Sequence, residues 1–129
     1  MTTDGDAGPN RRGPEVPNDE TLLRAITPNA ASTWFPSGIP SSAIFSHPVF
    51  STDVESLTTL EAMLNRWPPG SGIVSFSCGY ARSIDFDARL EPEFANNAHA
   101  NVYCDLPPNQ RKRSARQLAE HCQIRIAPN

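Results

Sequence analysis

Two periods of apolar spacing divide this chain of 129 residues into its elements. From Gly72 to Cys78, Val74, Phe76 and Cys78 alternate with Ile73, Ser75 and Ser77, which predicts a strand with one apolar and one mixed face. His99 to Cys104 is a second clear strand, close enough downstream to pair with the first and form the centre of a small sheet. Thr21–Ile26 fits a short strand or one helical turn, with the strand favoured because Pro28 holds Thr27 extended. Ser41–Phe45 and Val49–Val54 read as further extended pieces, separated by His47-Pro48. The spacing switches to the helical period twice. Leu60, Met63, Leu64 and Trp67 share one face of a helix over 58–67, opened by a Thr58–Glu61 capping box and stopped by Pro68-Pro69. Ala115, Leu118, Ala119 and Cys122 do the same over Gln110–Cys122. Between these, 80–87 fits one turn of helix and then an edge strand, and Gln123–Ile126 closes the sheet. The fold class predicted is α+β: a small, mostly antiparallel sheet with two helices packed on one face.

Composition adds boundaries. Residues 1–19 carry almost no apolar side chains besides Ala7 and Val16, so they are expected to be a disordered tail, with 20–129 as one compact domain. A hydrophobic content of 38% with 13 prolines fits a small core and generous loops. The net charge of −3 argues against a nucleic-acid surface over the whole molecule. No apolar run reaches membrane-spanning length, and the first residues lack the basic start and apolar stretch of a secretory signal. Cys78, Cys104 and Cys122 form no C-x-x-C pair, which suits reduced, buried thiols and a cytoplasmic location.

No complete catalytic, metal or phosphate-binding motif is present. His99 opens a strand and could meet Arg82 or Asp85, as a general base or an anion grip, or it could simply cap a loop through backbone carbonyls. With the hydroxyls of Ser41, Ser42 and Ser51, His99 and Arg82 make the candidate pocket. No metal site or cofactor is expected, since His47, His99 and His121 are widely spaced. Trp34 and Phe35 either pack their loop against the core or form a binding surface. Arg111, Lys112, Arg113 and Arg116 sit in the first turns of the last helix, against the helix dipole, as a solvated face or a contact for an acidic partner or RNA. No aromatic residue is interleaved with them, so base stacking is not suggested.

Two resemblances bear on function. Arg24, then Ser51-Thr52, then Glu91-Pro92-Glu93 resemble the arginine–serine–glutamate order of ADP-ribosyltransferases. That likeness implies NAD binding by Arg24, positioning by Ser51 and catalysis by Glu93. Here Pro92 stands inside the Glu-x-Glu, and the Ser-Thr-Ser triplet lacks its last serine. Over most of the chain from Leu22 onward, the sequence resembles a group of small uncharacterised bacterial proteins. The likeness is carried by Ile26-Thr27-Pro28, Ser41–Phe45, Phe50–Val54, Pro68–Val74, Ala81-Arg82-Ser83 and Ala98–Tyr103, and it implies no activity. The leading expectation is a non-enzymatic interaction or accessory module that binds a protein partner. The alternative is a small enzyme or nucleotide-binding protein with its pocket near His99 and Arg82.

Overall fold

The computed structural model describes residues 12–129. Among the described residues, six strands form one antiparallel sheet: β1 (Thr21–Ile26), β2 (Val49–Val54), β3 (Gly72–Ser77), β4 (Asp87–Leu90), β5 (His99–Tyr103) and β6 (Gln123–Ile126), in the order β4-β5-β2-β1-β3-β6. Four α-helices accompany them: α1 (Ala31–Trp34), α2 (Leu60–Leu64), α3 (Cys78–Ser83) and α4 (Pro108–His121). The α+β class and the antiparallel sheet are as the sequence predicts, and Thr21–Ile26 is a strand. Among the described residues, no helix is long and apolar enough to cross a membrane.

Strand alternation divides the sheet into two unequal faces. Leu22, Ile26, Phe50, Val54, Val74, Phe76, Ala100 and Val102 face the main core, together with Ala115, Leu118 and Ala119 of α4 and Cys78 and Ala81 of α3. On the other face, Leu23, Ala25 and Ile73 pack with Met63 of α2 in a smaller cluster. Helices α3 and α4 thus share a face, joined there by the short α1 through Trp34. The expected companion of α4, α2, lies on the opposite side. Apolar residues on both sides of β1 and β3 leave each face of the sheet needing its own cover.

The pairing of the strands also differs from expectation. β3 pairs with β1 and β6, so neither of its edges is left for β5, which pairs with β2 and β4. Ser41–Phe45 is not extended: residues 42–44 form a 3-10 turn, which lets the neighbouring Ile44 and Phe45 both reach the core, where a strand would send them to opposite sides. Helix α2 is capped one residue later than the pattern suggests, by Thr59, whose Oγ1 accepts from the Ala62 amide at 3.0 Å. Its last turn tightens to bonds from Arg66 and Trp67 to residues three back, ending the α-helix at Leu64.

The expected tail is ordered in its second half. Val16 is buried, its amide donates to the Ala88 carbonyl, and the Leu90 amide donates to Pro14, so 13–16 cover the free edge of β4. The compact unit therefore begins before residue 20, because one valine and two backbone bonds dock the segment. Residues 1–11, the rest of that expectation, lie outside the described residues. The three cysteines are free thiols, and burial pushes the Cys122 thiol up to about 11.

Phe45 is fully buried, edge-on to Phe76 at 5.4 Å and tilted to Phe50 at 5.6 Å. Phe45→Ala is expected to lower stability by about 3–5 kcal/mol in urea melts. Lys112→Ala, on the solvent side of α4, is expected to change it by no more than about 0.5 kcal/mol.

Candidate functional site

Because Asp53 pairs with His99, and Ser51 with Asn101, all four side chains project from the face that α2 covers only in part. Where that cover ends, a cleft of about 270 Å³ opens. Its floor is Ala25, Ser51, Asp53 and His99. One wall is Met63, Arg66 and Trp67 at the end of α2. The other is Glu93, Phe94 and Asn96 on the connection between β4 and β5. That connection turns tightly: Glu93 and Asn96 exchange backbone bonds at 2.9 and 3.0 Å, and Ala95 takes a φ of 64°. The turn holds Phe94 at its tip, fully exposed at 102%, across from Trp67 at 38%.

His99 is only 4% exposed. Its Nδ1 lies 2.8 Å from the Glu91 carbonyl, an acceptor, so Nδ1 carries a proton and donates it there. Nε2 is buried with no hydrogen-bond partner, and the nearest charge is the Glu93 carboxylate at 3.6 Å. In the neutral ring, Nε2 is therefore a bare lone pair that can accept a hydrogen bond or a proton from a group in the cleft. Asp53, also buried, accepts from Asn96 Nδ2 at 3.0 Å and from Arg66, and the Asn96 side-chain oxygen takes the Ala98 amide at 3.2 Å. These bonds fix the polar floor and tie both walls to it.

Behind His99, the Glu91 carboxylate accepts from Tyr103, from Asn101 at 2.8 Å and from the Gly13 amide at 2.8 Å. Burial pushes the Glu91 carboxyl up, but these donors outweigh it and hold the group below its ordinary value. Burial, and then donation to Glu91, push the Tyr103 phenol up. The same residue whose backbone orients His99 is thus anchored by its side chain.

Of the five pocket candidates, only His99 and Ser51 meet. Arg82 points from α3 to the far side of the sheet, donating to the carbonyls of Val16 at 2.6 Å and Ala88 at 2.8 Å and to Asn18 at 2.7 Å, with Asp87 alongside. It is a clamp on the N-terminal segment. Asp85 lies beside Arg113 and Gln117 of α4. The Ser41 hydroxyl donates to the Thr33 carbonyl at 3.0 Å, and Ser42 is in the 3-10 turn. Asp53, Arg66, Asn96 and Phe94 escaped the sequence reading, and Trp67 entered it only as part of a helix face, whereas it stands past the end of α2 and is exposed; only Asp53, a carboxylate within a strand, left a signal.

The arginine–serine–glutamate set does not assemble. Ser51 and Glu93 line the cleft, but Arg24 faces the main core, donating to the Ile44 carbonyl at 2.8 Å and the Ser51 carbonyl at 3.1 Å under Trp34 and Phe50. Trp34 and Phe35 form no exposed pair: Phe35 is buried, and Trp34 is half-buried over Arg24. In the basic helix, Arg111 is spent on the carbonyls of Ser46 and Leu106, while Lys112, Arg113 and Arg116 face solvent. Among the described residues, no group of three or more His, Cys, Asp or Glu side chains is placed to hold a metal ion.

Comparison with protein-family models, curated proteins and solved structures finds no match. The geometry alone carries the functional argument.

The Glu91 network gives a pH test. A carboxyl held below its unfolded value of 4.5 adds stability that is complete above that pH and is lost as pH falls through the lower folded value. Glu91→Gln is expected to lower stability by about 1–3 kcal/mol at pH 7, with the gap to the parent closing in melts toward pH 3.

Proposed function

We propose that the protein binds a small polar molecule in the cleft above His99. The observation that carries this reading is the buried, unpartnered Nε2 beside an open cleft. A buried polar atom left unpaired costs about 1–3 kcal/mol, and a ligand that donates to it removes that cost. Ser51, on the floor, leaves room above it, and the paired Asp53, Arg66 and Asn96 hold the surroundings still. The interaction-module reading loses its apolar anchor with the inward packing of Phe35 and Trp34. The NAD-using alternative loses Arg24 to the core.

A screen of small molecules by NMR tests the proposal. Any binder is expected to shift the His99 ring and the Asn96 side-chain amide together. Ser51→Phe, which fills the floor from an exposed position, is expected to abolish those shifts while changing stability by about 0.5 kcal/mol or less. Binding that persists in Ser51→Phe, or that moves only residues outside the cleft, contradicts the proposal.

A further inference from the structure

Two acceptors face each other in the cleft. Nε2 of His99, bare in the neutral ring, and the Glu93 carboxylate stand 3.6 Å apart, and among the described residues neither has a hydrogen-bond donor from the protein. With the ring neutral, two lone-pair groups so close repel until a proton on Nε2 or a donor from a ligand joins them. The remaining charges in the lining cancel: Arg66 is paired with Asp53, whose other oxygen takes Asn96. Among the described residues no arginine or lysine is left free in the lining, and with His99 neutral the uncompensated charge is that of Glu93.

We infer that the ligand is a small organic cation carrying N–H donors, a primary ammonium or guanidinium compound. The inference rests on the reading that the cleft binds a small molecule, and it names that molecule's chemical class. One N–H of such a group meets the Nε2 lone pair while its charge meets Glu93, so the two acceptors that repel each other share one donor group. The rim suits the same chemistry. Trp67 and Phe94 stand on opposite walls, and aromatic faces attract cations. Glu93 is largely exposed, so its carboxylate can swing to admit the ligand without disturbing the core. A phosphate or carboxylate ligand would instead meet the Glu93 charge and the Nε2 lone pair, with no free arginine or lysine among the described residues to hold it.

Agmatine is the probe of choice, since it carries both an ammonium and a guanidinium group. Titration is followed by the His99 ring signals and the Trp67 indole N–H. Agmatine is expected to shift both, adenosine monophosphate and glucose to shift neither, and Glu93→Gln to weaken agmatine binding by about tenfold or more while the melting temperature stays near that of the parent. Agmatine that moves neither signal, while adenosine monophosphate or glucose moves them, overturns the cation assignment and leaves the cleft as a ligand site. Silence from all three probes overturns both. Tighter binding by the peptide Gly-Gly-Arg-Gly-Gly than by agmatine overturns the assignment to a free small molecule. Agmatine binding that Glu93→Gln does not weaken overturns the role given to Glu93.

Discussion

Arg24 places a full charge in the middle of the core face of β1, and the loop that closes that core hangs from it. Its guanidinium reaches the Ile44 and Ser51 carbonyls and lies 4.9 Å from the Trp34 ring centre and 4.7 Å from that of Phe50. Burial lowers its pKa only to about 10, so it remains charged at neutral pH and its donors must be paired. The carbonyls supply that pairing, and the aromatic faces fill the space around it. Arg24 holds the Ile44 carbonyl at the end of the 3-10 turn at 42–44, next to the buried Phe45. The same arginine explains why Trp34 lies half-buried over the core.

With one face of the sheet committed to that core, the other face can hold polar groups. Helix α2 is short and covers only the part of it near β1 and β3, where Leu23, Ala25 and Ile73 meet Met63. Over β2 and β5 the same face carries Ser51, Asp53, His99 and Asn101. A polar sheet face beside the end of a short helix makes the cleft. The Glu91 network behind it fixes the histidine ring through a backbone carbonyl, so the orientation does not depend on the cleft's own charges.

Elements set by local spacing were legible in the sequence. α4 follows from Ala115, Leu118 and Ala119, and β1, β2, β5 and β6 follow from short apolar runs bounded by prolines or polar residues. What was not legible depended on contacts distant in sequence. β5 looks like a natural partner for β3, yet the edges of β3 are taken by β1 and by β6, a strand from the chain's far end. Val16 looked like a stray apolar residue in a polar tail until β4 offered it an edge. In the site, Ser51 and His99 could be picked out singly. Arg66 and Asn96 could not, because they become neighbours of Asp53 only when α2 and the β4–β5 turn close over β2. Arg82 misled because strand-end position suggests proximity to His99, whereas α3 turns it toward Asn18.

The proposed site depends on the state of one imidazole. Nitrogen-15 NMR of the His99 ring, at a pH where the ring is neutral and no ligand is present, measures it most directly. The structure requires Nδ1 to resonate as a protonated nitrogen coupled to its own hydrogen, and Nε2 as a bare one that moves when a ligand enters the cleft. A ring protonated at Nε2 and bare at Nδ1 would contradict the bond to the Glu91 carbonyl and remove the acceptor on which the proposed site depends.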